Sequence, residues 1–502
     1  MHVHPLEISE IVRRIQQYMR LGDLPNCIRV CRQWHNAFIP FLWRNVPPIR
    51  LSTDDGEYSP QNCLSKLSAA ALQKHAHLVH SLLWSTETDA ALTELDAHHG
   101  IVFSNLESFS VNGYNLEWDF FPAFLKRHPT ISSLHIFAFR GGVQYRLFQT
   151  ILNHPTPWKS LNIGSCLIDR DSMQLFWRVC TLPERLEITG VNLTPIIHGD
   201  ERLLGLAELV DREFFASLDF SRVKALYMFE FELPSVDHIE IIAKCTQVER
   251  LSWGPWSQWN NPRPDDFSTR VANLGSRGCL RHLKALVFLP SFLAISDPEL
   301  ALILDSINLN CGDDSHQHDG GAHFEQINIW PLLLGPSSFV ALQRHFPTIT
   351  SLELLHSQGL TSAMNQQILC GCPNLTKYEA STLSSGDLIT GEYARPWACN
   401  KTLRRLMIRI VVEAASVQQQ IQHNQAVLKQ LGAMEALDSL YLSERQTTTP
   451  NPPEIKELSL SLEYGLDLLR PLGNRLRTAL FQRGAHSVGA EEVQWAEEHW
   501  VH

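Results

Sequence analysis

The side chains best equipped for chemistry gather in one insert, CGDDSHQHDGGAH at residues 311–323. Cys311, Asp313, Asp314, His316, His318 and Asp319 are all metal-capable donors. Their spacing matches no fixed ligand framework, and the Gly and Asp content is that of a polar loop. Cys370-Gly-Cys372 has one residue between its thiols where a redox pair has two, and Pro373 follows, so it reads as a turn. The 11 cysteines are scattered along the chain and form neither a disulfide frame nor paired C-x-x-C zinc units. A P-loop, a dinucleotide glycine pattern, G-x-S-x-G and H-E-x-x-H are all missing. The expectation is a chain without catalytic residues, cofactor or metal, whose chemistry is recognition.

For recognition, large aromatic side chains matter most. The stretch WGPWSQWNNPRP carries Trp253, Trp256 and Trp259. Trp253 falls on a buried strand position. Trp256 and Trp259 fit equally a loop folded back on its own domain and a contact site. A second group lies near the start, in HPLEISEIVRRIQQYMRLGDLPNCIRVCRQWHNAFIPFLWRNV. Pro5 suits a first helical turn, and Ile8, Ile11, Val12, Ile15 and Met19 share one helical face. Gly22 suits a helix end, and Asp23 is placed to cap a second helix from Leu24. That helix carries Cys27, Ile28, Cys31 and Trp34 along an apolar stripe, and a third short helix holds Phe38, Phe41, Leu42 and Trp43. Helical periodicity alone accounts for Ile15 and Trp43 as core. Three such helices sit near the lower limit of independent stability, so the unit should lean on a partner or on the domain behind it.

In order and spacing, Pro5-Leu6-Glu7-Ile8, Asp23-Leu24, Val30-Cys31-Arg32-Gln33-Trp34 and Phe41-Leu42-Trp43 resemble an F-box. His4 stands where that family usually has Leu. The resemblance implies docking on the adaptor subunit of a cullin–RING ubiquitin ligase, and through it on a cullin. It places Pro5, Leu6, Ile8, Ile11, Val30, Cys31 and Trp34 at or just under that interface.

Behind it, residues 47–61 lose periodicity and gather Pro, Asp and Gly, as a linker does. Then one short phrase returns, with apolar residues two apart between polar ones. It runs HSLLW at Leu82, ESFSV at Phe109, SSLHI at Leu134, KSLNI at Leu161 and ERLEI at Leu186. It continues with KALYM at Leu226, ERLSW at Leu251, KALVF at Leu286, EQINI at Ile327 and TSLEL at Leu352, then TKYEA at Tyr378, RRLMI at Leu406 and DSLYL at Leu440. Most steps are about 25 to 28 residues, the leucine-rich-repeat period, and the rest are lengthened to about 34 to 41. Helix-like runs lie between, several ending in a turn such as H-P-T at His128, F-P-T at Phe346 or C-P-N at Cys372. A strand–helix unit cannot bury its apolar side alone and must stack on its neighbours.

The expected fold is therefore α/β: a small N-terminal three-helix F-box, residues 1–46, then a curved leucine-rich-repeat solenoid with a parallel concave sheet, residues 62–482. Residues 483–502 form a tail that caps the last repeat, with Val493, Ala496 and Trp500 on one helical side. The tail's EEVQWAEEHW also resembles the closing segment of fungal F-box proteins with irregular repeats. Strand residues between the two buried positions face outward: His135, Asn162, Glu187, Tyr227, Ser252, Asn328, Glu353, Met407 and Tyr441. Of these, His135, Glu187, Tyr227, Glu353 and Tyr441, with Trp256 and Trp259, are the candidate substrate contacts.

A net charge of −11 offers no basic surface for nucleic acid or anionic lipid. No segment approaches the roughly 18 apolar residues of a membrane span. The first residues lack a signal peptide's basic start and apolar run, so an intracellular protein of nucleus or cytoplasm is expected. Two functions compete: a substrate receptor of a ubiquitin ligase, and a non-catalytic repeat scaffold that joins no ligase.

Overall fold

The computed structural model describes residues 9–19, 23–46, 49–50, 60–61, 69–86, 100–113, 120–139, 144–193, 210–231, 233–254, 267–288, 295–307, 324–329, 333–355, 357–389, 395–442, 456–473, 475–481 and 489–500. The chain divides into two compact units, Met1–Val223 with Glu230–Pro234, and Lys224–Phe229 with Ser235–His502.

The first unit opens with helices Ser9–Tyr18, Leu24–Cys27 and Arg32–Arg44. Val12, Leu24 and Phe38 form their buried centre, with Ile15, Met19, Cys27, Ile28, Trp34, Phe41 and Leu42 packed around it. The expected apolar stripe from Cys27 to Trp34 is instead split over two helices. Cys31 is fully extended (φ −160°, ψ 170°), and its Sγ accepts the Trp34 N–H at 3.5 Å, so a new helix starts there. Asp23 stands at the start of the Leu24 helix but does not cap it: its backbone is helical (φ −86°, ψ −24°), whereas a capping residue is normally extended.

The third helix runs directly into a sheet. Asn45–Val46 pairs in parallel with Ser81–Leu82, the His80 N–H donates to the Arg44 carbonyl at 2.8 Å, and the Trp43 ring stacks on His75 at 4.7 Å. Within residues 47–61, Ile49–Arg50 pairs antiparallel with Pro60–Gln61. The sheet continues through parallel strands Ser81–Thr86, Ser108–Gly113, Ser133–Phe139, Ser160–Cys166 and Arg185–Thr189. Leu82, Phe109, Leu134, Leu161 and Leu186 stand in register as one buried row. Helices Phe120–Arg127, Gln144–Leu152 and Met173–Cys180 lie between successive strands.

The second unit repeats the plan. Its parallel strands are Ala225–Phe229, Arg250–Gly254, Ala285–Phe288, Gln326–Ile329, Ser351–Glu353, Lys377–Ser384, Arg405–Val412, Ser439–Leu442 and Thr478–Phe481. Leu226, Leu251, Leu286, Ile327, Leu352, Tyr378, Leu406, Leu440 and Ala479 share one register position. Lys456–Glu457 adds a short antiparallel pairing to Val411–Val412. The tail helix Ala490–Trp500 rests on the 3-10 segment Leu466–Leu472. Gly473 comes so near the His499 carbonyl there that a Cβ would lie 2.0 Å from it. Val493 is 48% exposed and does not share the packed side expected for it.

One backbone device joins most repeats to the next. The carbonyl just before a strand accepts the N–H groups of two consecutive residues at the start of the following strand. His80 O takes Glu107 N at 2.9 Å and Ser108 N at 3.0 Å, and Glu249 O takes Lys284 N at 2.7 Å and Ala285 N at 3.0 Å. Glu107, Ser132, Lys224, Lys284, Glu325, Thr350, Thr376, Arg404 and Asp438 do the same. A carbonyl has two lone pairs, so both bonds can be satisfied at once. Turn side chains add a second tie: Thr130 Oγ1 donates to Leu106 O at 2.7 Å, Thr348 Oγ1 to Phe324 O at 2.7 Å and Asn374 Nδ2 to Pro347 O at 2.7 Å. Asp297 ties helices likewise. Its carboxylate accepts from the N–H groups of Gly335, Ser337 and Ser338 at 2.9–3.0 Å, capping helix Pro336–Gln343.

His128, the first residue of an H-P-T turn, is buried. Its Nδ1–H donates to Phe124 O at 2.8 Å and its Nε2 accepts from Phe103 N at 3.1 Å, which requires the neutral ring. Burial, with Arg127 adding to it, holds its pKa below the ordinary imidazole value against the pull of the Phe124 bond. Below about pH 6.5 the unfolded chain takes up a proton that the folded ring resists, so stability is lost as the pH falls. The thermal midpoint should drop between about pH 7 and pH 5, and less steeply in His128→Gln. Parallel curves for the two proteins would show that His128 is not a source of the acid sensitivity.

Candidate binding surface

In each unit the side chains between the two buried strand positions form a row on the open face of the sheet. In the first unit, register aligns Leu83, Ser110, His135, Asn162 and Glu187. Glu187 accepts from Arg185 Nη2 at 3.2 Å. Burial lowers the pKa of half-buried His135, with Glu187 opposing and Arg185 reinforcing the shift. Asn162 lies on this row but is only 4% exposed.

The second unit aligns Tyr227, Ser252, Val287, Asn328, Glu353, Glu379, Met407, Tyr441 and Leu480. Tyr227 is half-buried, its ring 6.3 Å from that of Phe229. Further along, charges alternate across adjacent strands. Asn328 Nδ2 donates to Glu353 at 2.9 Å, and Lys377 Nζ lies 2.5 Å from Glu353 and 3.2 Å from Glu379. Arg405 Nε sits 2.9 Å from Glu379 Oε1, a charge contact whose N–H is not aligned as a hydrogen bond. The same guanidinium lies 4.8 Å over the Tyr441 ring. Glu379 is the hub, its side chain 7% exposed between two cations.

The N-terminal helices expose a different surface. Val30 is 63% exposed and Ile11 37%, Cys31 is exposed, and Trp34 is half-buried with its ring 5.4 Å from Phe38. Pro5, Leu6, Ile8, Trp256, Trp259 and the insert at 311–323 lie outside the described residues. Trp253 is buried, its Nε1–H donating to His238 Nδ1 at 3.1 Å.

Groups that resemble catalytic ones serve packing. Ser385 Oγ lies 2.8 Å from His423 Nδ1 and accepts from Glu413 N at 3.2 Å, but Ser385 is fully buried. Burial pushes the Cys399 thiol up to about 12 and raises Cys370 and Cys372 as well, so none is an activated nucleophile. Gly371 between the last two is required by close packing, since a Cβ would lie 2.4 Å from the Phe346 ring. Among the described residues no cluster of His, Cys, Asp or Glu is arranged to hold a metal, and no helix is long and apolar enough to cross a membrane.

Sequence reasoning placed Glu353 and Tyr441 on the open face but passed over Glu379, Lys377 and Arg405, which join them. Their common signal is register: each lies one residue before or after its strand's first buried apolar position. A scan against protein-family models and a search of curated proteins found no match for the chain.

Removing Glu379 leaves two cations facing each other. Glu379→Ala should cost about 1–3 kcal/mol, below the full cost of a broken buried pair because Lys377 and Arg405 are partly solvated. Urea unfolding should show this as a lower midpoint at unchanged slope, and the loss should shrink with added salt. An unchanged midpoint would mean that the hub contributes nothing to stability.

Proposed function

We propose that this protein is a non-catalytic substrate receptor of a cullin–RING ubiquitin ligase. The N-terminal helices act as an F-box that docks on the adaptor subunit, and through it on the cullin. The strand–helix repeats act as leucine-rich repeats that present a protein substrate. Catalysis then belongs to partner proteins, and this chain contributes proximity and orientation.

The observation that carries the reading is the division of labour among the N-terminal apolar residues. Val12, Leu24 and Phe38 supply the core, while Ile11 and Val30 remain on the surface at positions where the F-box resemblance places adaptor contacts. A helical unit this small gains little from leaving such side chains in water, and an apolar partner surface would cover them. The open sheet faces add support, since they offer aromatic, aliphatic and paired charged groups of the kind that protein interfaces use.

The test is binding of the purified full chain to the adaptor subunit. Wild type should bind, and Val30→Glu should weaken binding about tenfold or more with helix content and thermal midpoint unchanged. Leu6→Ala combined with Trp34→Ala should abolish it. Failure of the folded wild type to bind would leave a repeat scaffold outside any ligase as the better account.

A further inference from the structure

The open face of the first unit contains polar atoms that the fold itself does not use. Asn162 is buried, yet its Oδ1 has no hydrogen-bond partner, and Thr189 Oγ1 on the next strand is in the same state. A buried acceptor left unpaired costs stability, and an apolar side chain would avoid the cost. The matching position on other strands is filled by Leu83, Val287 and Met407, so the repeat does not require a polar group there. Beside Asn162, Gly164 has no side chain for a reason: a Cβ would lie 2.5 Å from the Phe137 ring. The ring lies over that bare backbone.

The two orphaned groups have a spacing that suggests what they bind. A carboxamide presents one donor and one acceptor side by side. In an extended chain the N–H and C=O of one residue point to the same side, so a single residue can pair with a carboxamide through two bonds. Thr189 is in register with Gly164, which puts it one strand over and two residues along from Asn162. Strand spacing and rise make that separation about 8 Å, and same-side main-chain groups of an extended peptide recur about every 7 Å. A small molecule with one amide would satisfy one orphan, whereas consecutive same-side residues of a peptide reach both.

The geometry points to a main-chain recognition site, in which Asn162 and Thr189 bind the backbone of an extended peptide segment with the Phe137 ring beside it. His135 and Glu187 flank Asn162 in register on the neighbouring strands, so a peptide seated on the carboxamide would lie between them. The site deepens the proposed role of the repeats as a partner-holding surface and is independent of docking by the N-terminal helices.

The test selects binders to the purified full chain from a phage-displayed library of random linear peptides. Affinities of the best synthetic peptides are then measured for wild type, Asn162→Ala and, as a control on helix Gln144–Leu152 away from the open face, exposed Tyr145→Ala. Asn162→Ala should lose about tenfold, a loss matched by N-methylation of one peptide bond and not added to when both changes are combined. Tyr145→Ala should bind as wild type does. Asn162→Ala should also unfold at the same temperature as wild type or higher, because it removes an unpaired buried group. Equal binding by wild type and Asn162→Ala, no peptide selected by the folded chain, or a lower thermal midpoint for Asn162→Ala would each overturn the assignment. Adaptor binding is read on other residues, so either result can fail while the other stands.

Discussion

Most described repeats of this protein depend on one carbonyl oxygen doing two jobs. By taking two consecutive N–H groups from the next strand, it fixes both where that strand begins and which of its residues face inward. A shift of one residue would turn every core side chain outward. The buried row from Leu82 to Leu186, and the corresponding row from Leu226 to Leu440, follow from that placement. So does everything on the opposite face, since Asn162 and Glu379 occupy their positions only because their neighbours are held in register.

The open faces of the two units solve the problem of polar residues differently. Around Glu379, opposite charges meet across strands and largely satisfy one another, with Tyr441 under the terminal guanidinium. Around Asn162 they do not, and polar atoms remain buried without partners. In the first arrangement ion pairs hold the groups together even where, as between Arg405 Nε and Glu379 Oε1, no hydrogen bond forms. The second resembles a site whose hydrogen bonds are made only in company, as polar defects at functional positions often are.

Strand positions were legible because alternation over four or five residues, repeated at one period, is a signal that few other folds produce. All thirteen phrases from HSLLW to DSLYL coincide with strands. Thr478–Phe481 escaped notice because its inward residue is Ala479, too small to register as an apolar beat, and Asn45–Val46 because two residues cannot show a period. The boundary at Cys31 was misplaced for a different reason: sulfur is an uncommon cap, so its role was hidden among apolar neighbours. The open-face clusters were hidden more deeply. Lys377, Glu379 and Arg405 are joined by pairing between strands, a property of register and not of local sequence.

Stitches that, among the described residues, reach mostly the adjacent repeat also set the mechanical character of each unit. In such a stack a pull on one strand loads chiefly the rung next to it, because most of the described main-chain bonds join neighbouring strands, the pairing of Lys456–Glu457 with Val411–Val412 being an exception. Opening the last rung of the second unit, where Ala479 is exposed, leaves the pair beneath it intact. Extension from that strand would open the sheet strand by strand once the contact of helix Ala490–Trp500 with Leu466–Leu472 gave way. A sheet of this design yields more readily to a pull along its stack than to a load applied across its strands.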